Sequence, residues 1–311
     1  KNNLLLREVF MKYISILLII VTMLFTSCQD KKMMNKELDE KNNTPEHVNV
    51  FVNHLSVVVD SATYADISAS KCLNNHFADF MQASAETSDS QKWTGTYITG
   101  KQTYLEIFDK NSPMLSSCGI GFCTEKEGDI KKLLDNLKLT MGENVIIADR
   151  MRKTSKEDFP WFSQVEFEKH KHNKVLDTWV IEYSPEYLKK IVSGKDPEYY
   201  DITRKQYNER YYDDYKYLEN IIGATIALDD KNTDILLKKL KAFNYEIKDM
   251  NGKILCKGPD IELAIVPATP TKYGVRDLKF SLNKAMEGEK LYRFGEKSLL
   301  VFKDDNTAIW T

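Results

Sequence analysis

No CxxC pair occurs in the chain, whose five cysteines stand at 28, 72, 118, 123 and 256. An odd count at unrelated spacings excludes a zinc knuckle and gives no disulfide framework. Basic charge is not in excess either: 44 Lys and Arg stand against 46 Asp and Glu, for a formal net charge of −2. A nucleic-acid binder needs a surplus of cations to release counterions from phosphates, so that class is set aside. No Ser-His-Asp arrangement and no phosphate-loop pattern is present around Ser116, Ser117, Asp149 and Arg150. The apolar run from Ile14 to Phe25 is too short to span a bilayer comfortably.

What is present is a chain of 311 residues, 42% hydrophobic and 29% charged, enough for one large domain or two of ordinary size. From Met11 it reads MKYISILLIIVTMLFTSCQD: a short basic start, the apolar run, then small residues before Cys28. This resembles a bacterial lipoprotein signal, with Phe25-Thr26-Ser27-Cys28 at the lipobox and Phe25 where leucine is usual. The resemblance implies cleavage before Cys28, acylation of that residue, and a lipid-anchored protein of the bacterial cell envelope, on the periplasmic face or the cell surface. Two or more acyl chains, at roughly 0.8 kcal/mol per buried CH₂, hold a soluble domain on a membrane. A plain secretory signal with a chance cysteine is the alternative. Residues 1–10 are expected to lie upstream of the natural start, and residues 29–48, polar and without apolar periodicity, read as a tether.

Beyond the tether one pattern recurs: an apolar strand, a helix, then several strands. The first copy opens with FVNHLSVVVD, with Ser61 as N-cap and Tyr64, Ile67, Phe77 and Phe80 available for burial. WTGTYITG and TYLEIFD follow as strands. The second copy opens at Cys118; its helix is capped by Asp129 and places Ile130, Leu133, Leu134 and Leu137 on one face. ENVIIADR, FPWFSQVEFE and DTWVIEYS supply its strands. A third copy begins at IIGATIALDD, with Leu236, Leu240 and Phe243 on one helix face, and a fourth lacks a helix. These units divide the chain into a first domain over 49–192, a connector over 193–218 and an abbreviated second domain over 219–311. The connector is rich in tyrosine and charge and reads as a helical linker whose tyrosines fill the seam between domains; the alternative is an aromatic binding surface.

The fold class is therefore α+β, built of tandem βαβββ modules. HLSVVVDSATY, GIGFCTEKEGDIKKLLDNL, WTGTYITGKQTYLEIF, PWFSQVEFE and WVIEYSPEYL together resemble the vicinal oxygen chelate superfamily, which includes glyoxalase I, extradiol dioxygenases and bleomycin-resistance proteins. The resemblance lies nearest a group of uncharacterised glyoxalase-like bacterial proteins. It implies two half-barrel domains, each able to hold a divalent metal by residues from the first and last strands of a module pair. Carried over by position, the ligands are His54, Glu106, Cys118 and Glu182, with Glu106 or Glu182 doubling as catalytic base. Cys118 departs from the family's histidine or carboxylate. Such a donor set suits Zn, Fe, Mn or Ni with open positions for vicinal oxygens. The competing readings are a metal-free cleft lined by Tyr104, Trp93 and Trp161 that binds or sequesters a small-molecule ligand, and an interaction scaffold. Strand parity leaves the matter open: Glu106 points with Tyr104 and Phe108, whereas Glu182 opposes Trp179, Ile181 and Tyr183. In the second domain Gly223 and Glu262 occupy the corners, so that half is expected to be structural. His170 and His172 read as a solvated hairpin tip.

Overall fold

The first module runs β1 (Phe51–Val59), α1 (Ser61–Ala69), β2 (Asp79–Glu86), β3 (Lys92–Thr99) and β4 (Tyr104–Asp109). The second runs β5 (Cys118–Cys123), α2 (Asp129–Met141), β6 (Val145–Arg152), β7 (Phe159–Phe167) and β8 (Leu176–Tyr183). Two short helices follow, α3 (Pro185–Ile191) and α4 (Arg204–Asn208). The third module is β9 (Leu218–Leu228), α5 (Asp230–Ala242), β10 (Glu246–Asp249), β11 (Ile254–Lys257) and β12 (Glu262–Pro267). The fourth is β13 (Gly274–Leu282), β14 (Leu291–Phe294), β15 (Ser298–Phe302) and β16 (Thr307–Trp310). This computed structural model describes residues 46–311 apart from 88–91, 113–115, 143–144, 155–156, 168–174 and 192–201. Cys28, most of the tether, His170 and His172 lie outside the described residues. Residues 47–311 form one compact unit.

The modules pair two and two into eight-stranded sheets, ordered β2-β3-β4-β1-β5-β8-β7-β6 and β10-β11-β12-β9-β13-β16-β15-β14. In every module with a helix, the last strand returns parallel to the first: β4 to β1, β8 to β5, β12 to β9. A parallel pair needs a crossover, which the helix supplies. The fourth module has no such helix, and β16 accordingly runs antiparallel to β13. The abbreviation read from the sequence therefore reverses the last three strands as well as shortening the module.

In the first two modules the helix cap lies one residue before the expected one. Asp60 caps α1, accepting from the Ala62 and Thr63 amides, so Ser61 is the first helical residue. Gly128, at φ 86°, precedes α2, and Asp129 lies inside the first turn. The apolar faces are as expected: Ile130, Leu133 and Leu137 are buried, as are Leu236, Leu240 and Phe243. Phe77 stands on a π-helical turn and inserts edge-on against Phe280, Phe302 and Trp310 of the second sheet. Phe122 meets Phe243 in the same way, so a single core runs through both halves. Lys239 of α5 is buried in this seam, hydrogen-bonded to Thr178 and set 3.6 Å from the Phe167 ring centroid. Burial pushes its ammonium down to about 7.

The first sheet curls until its two edge strands meet at one end. Thr87 bridges Arg152, the Lys153 amide donates to the Glu86 carbonyl, and the Lys153 ammonium donates to the Glu86 carboxylate at 2.7 Å. The hollow face is left facing a cavity, while the opposite face packs on the core.

Candidate ligand-binding site

The cavity of the first sheet measures about 880 Å³ and is walled by aromatic rings and a few charged groups. Its floor is made possible by two glycines on β5. His54 pairs with Gly121 and Ser56 with Gly119 across β1 and β5. A Cβ at Gly121 would lie 2.3 Å from the His54 ring, and one at Gly119 would lie 2.6 Å from Ser56 Oγ and 2.8 Å from Trp179. The missing side chains therefore let His54 and Trp179 lie flat over the strand.

His54 is fixed on every side. A bulge in β1 falls between Val52 and His54, and the extra residue, Asn53, turns its carboxamide to the imidazole. The carboxamide oxygen only accepts, so His54 Nδ1–H donates to it at 2.7 Å and Nε2 keeps its lone pair. Asn53 also donates to the Tyr183 hydroxyl at 3.2 Å. The imidazole stacks on Tyr104 at 4.5 Å and tilts against Trp179 at 5.2 Å. Burial alone drives its pKa down to about 3, so it stays neutral in ordinary conditions.

Glu106 lies one pleat along β4, opposite Ser56 on β1 and Tyr97 on β3. It is buried against the cavity, and its carboxyl has no hydrogen-bond partner among the described residues. Desolvation raises its pKa to about 8. Tyr97, Tyr104 and Tyr207 surround it, their phenols pushed up chiefly by burial and further by Glu106 itself.

The other expected ligands are placed elsewhere. Glu182 faces away from the cavity. It accepts from Thr124 Oγ1 and from the Gly128 and Ile130 amides, each at 2.8 Å, and so serves as the N-terminal cap of α2. The cause is a one-residue offset: matching TWVIEYS to TYLEIFD on their threonines sets Ile181, not Glu182, against Glu106, and one residue reverses the face of a strand. Cys118 alternates with Ile120 and Phe122 into the core, within van der Waals reach of a Cβ at Gly274 on β13. Its thiol, raised to about 11 by burial, donates to the Val175 carbonyl at 3.1 Å. Among the described residues no group of three or more His, Cys, Asp or Glu side chains is gathered as a metal site. His54 and Glu106 are thus two donors without the third that a divalent ion of this kind requires, and the residues do not fit it. In the second sheet Gly223 and Glu262 sit side by side in register, with Glu262 exposed.

The three expected binding residues do line the cavity. Trp93 and Trp161 lie parallel with centroids 6.1 Å apart, and Tyr104 forms the wall beside His54. The Arg152 guanidinium covers Trp161 at 4.4 Å, and the Trp161 indole N–H is buried without an acceptor among the described residues. The connector, expected chiefly to fill the seam, also supplies part of the cavity wall, as its alternative reading had it. Tyr207 on α4 stacks on Tyr183 at 4.3 Å, and Arg210 lies over Tyr207 and Tyr211 at the cavity mouth. Other connector tyrosines do fill the seam: Tyr212 donates to Asn283 at 2.8 Å, and Tyr217 packs on Phe302. The tyrosine content of that segment was the available signal.

Residues 52–311 match a family of unknown function, DUF5829. The chain belongs to that family. No curated protein matches the chain. Among solved structures, the DUF5829 chain is similar to a hypothetical protein from Staphylococcus aureus, at 11% identity and a TM-score of 0.46 over 72% of this chain and 88% of that one. It is similar to a xylose isomerase-like TIM barrel/4-hydroxyphenylpyruvate dioxygenase fusion protein at 10% identity and 0.43, over 79% of this chain and 40% of that one. A third is the 2,3-dioxygenase LapB from Pseudomonas sp. KL28, at 9% identity and 0.37, over 74% of each chain. The chemistry of the DUF5829 cavity is read from its own residues.

Proposed function

We propose that this protein is a small-molecule binder of the vicinal oxygen chelate type, held at the bacterial envelope by lipid on Cys28, whose first-sheet cavity takes a flat organic ligand without help from a bound metal. The observation that carries this reading is an aromatic-walled cavity of about 880 Å³ with the carboxyl of Glu106, unpartnered among the described residues, buried on its wall. Small-molecule sites are hollows of this size, largely apolar, with a few convergent polar groups. A metal-dependent lyase, isomerase or dioxygenase is the competing reading. It needs a third donor beside His54 and Glu106, and Glu182 and Cys118 are engaged elsewhere.

In this reading Glu106 works as a hydrogen-bond donor. With its pKa at about 8, about nine in ten of its carboxyls are neutral at pH 7. The groups facing it from the neighbouring elements are Ser56, Tyr97, Tyr104 and Tyr207, with His54 one pleat away. The tyrosines ionise far above this range and His54 far below it. Of these groups Glu106 is the one that titrates between pH 7 and 9. Methyl 2-naphthoate, a flat ester that can only accept hydrogen bonds, is expected to quench tryptophan fluorescence on binding. Its Kd should be constant below pH 7 and rise towards tenfold per pH unit above 8. Glu106→Gln should bind with a flat profile. Gly121→Val, which drives a side chain into His54, should weaken binding at every pH. A wild-type profile retained in Glu106→Gln would remove Glu106 from the site.

A further inference from the structure

The charged groups along the cavity are unevenly matched. Arg150 is paired with Glu166, but Arg152 and Arg210 have no carboxylate partner among the described residues. Each guanidinium is laid on an aromatic ring: Arg152 on Trp161, and Arg210 on Tyr207 and Tyr211. A guanidinium stacked in this way keeps its edge N–H groups free for an incoming oxygen and holds its orientation before the ligand arrives. Arg210 also donates to the Tyr187 hydroxyl at 3.4 Å, which leaves further donors of its fork open. The two arginines come from opposite sides, Arg152 at the end of β6 and Arg210 just beyond α4. The Trp161 ring beneath Arg152 lies 6.1 Å from the Tyr187 ring, whose hydroxyl accepts from Arg210, so the two guanidiniums converge on the same end of the cavity. Beside them the Trp161 indole N–H, on a ring only 5% exposed, has no acceptor among the described residues. A buried donor left unpaired costs about 1–3 kcal/mol.

Two cationic donors, neither matched by an acid among the described residues, describe the complement of an anion. The rings of Trp93, Trp161 and Tyr104 describe the complement of a flat body attached to it. Resting on the binding reading above, we infer that the ligand is a flat organic acid whose anionic group is held between Arg152 and Arg210 at the cavity mouth and whose ring lies inward against Trp161. Arginine suits this role because its planar fork meets a carboxylate, sulfonate or phosphate through two parallel hydrogen bonds.

Three probes of one shape separate this inference from the reading it rests on. 2-Naphthoate, methyl 2-naphthoate and 2-naphthylmethylamine are titrated into the full chain at pH 7, with tryptophan fluorescence and calorimetry as readouts. The anion is expected to bind at least tenfold more tightly than the ester, and the amine most weakly. Arg152→Gln and Arg210→Gln should each weaken naphthoate far more than the ester, so that the gap between the two Kd values closes. Thermal melting of both variants within a few degrees of wild type shows that the loss is not one of fold. Ester or amine binding as tightly as the anion, or naphthoate affinity indifferent to both arginines, overturns the acid while the cavity remains a binding site. Failure of all three probes at millimolar concentration overturns both.

Discussion

Arg204→Ala is expected to lower the melting temperature by about 10 °C, the largest loss from any single change outside the hydrophobic core. Arg204 is 2% exposed, and it ties together three parts of the chain distant in sequence. Its Nε donates to Glu125 at 2.7 Å and its Nη1 to the Val52 carbonyl of β1 at 2.6 Å and to Asp260 of the second half. Its own amide also donates to Glu125, and its guanidinium lies 4.6 Å from the Phe51 ring centroid. Burial already pushes the Asp260 carboxyl up despite the arginine. Taking the cation away leaves two half-sheltered carboxylates facing a hole. Breaking such a pair by removing one partner costs about 3–5 kcal/mol, or about 2–4 °C per kcal/mol in a chain of this size. Arg204→Lys keeps the charge but loses the fork, and should fall between the two. The double variant Arg204→Leu, Asp260→Asn should recover part of the loss, because it removes the stranded charge. Differential scanning calorimetry measures all three; a change under about 2 °C for Arg204→Ala would show that the junction is not held here.

Glu182→Ala is expected to cost about 2–4 kcal/mol and to leave ligand affinity unchanged. Three donors converge on this carboxylate, two of them amides at the N-terminus of α2, where Gly128 supplies no side-chain cap. Removing it strands buried N–H groups and withdraws a negative charge from the positive end of the helix. Glu182→Gln retains one acceptor oxygen and should lose roughly half as much. Chemical denaturation followed by circular dichroism gives the stability, and the naphthoate titration gives the affinity. A Glu182→Ala protein that folds as stably as wild type but no longer binds the probe would return Glu182 to the cavity.

Much of this arrangement is legible in the sequence, and the failures have local causes. Tyr104 and Glu106 share parity on β4 and both line the cavity, as do Trp93 and Trp161, which were expected at the cleft without a spacing that put them there. Helix faces followed from 3.6-residue periodicity. Glu182 was misplaced because a repeat can be matched with an offset of one, and in a strand one residue is the whole distinction between cavity and core. Cys118 suffered from the same property: it keeps parity with Ile120 and Phe122 rather than with Gly119 and Gly121. Asn53 was invisible because a bulge has no periodic signal. Arg204, Tyr207 and Arg210 were legible only as a charged aromatic run, since their roles depend on a connector folding back over a sheet completed earlier in the chain. No spacing in 193–218 encodes the carboxylates of Glu125 and Asp260.

Binding in the first-sheet cavity rests on its own rings and charges, with no metal between, in the proposal made above. It is tested most directly by titrating 2-naphthoate into the purified full chain before and after incubation with a strong chelator, and again after adding Zn²⁺, Fe²⁺ or Mn²⁺. One Kd is expected throughout, weakened in both Gly121→Val and Arg152→Gln. Binding that vanishes on chelation, returns with a divalent ion and disappears in His54→Ala would contradict it.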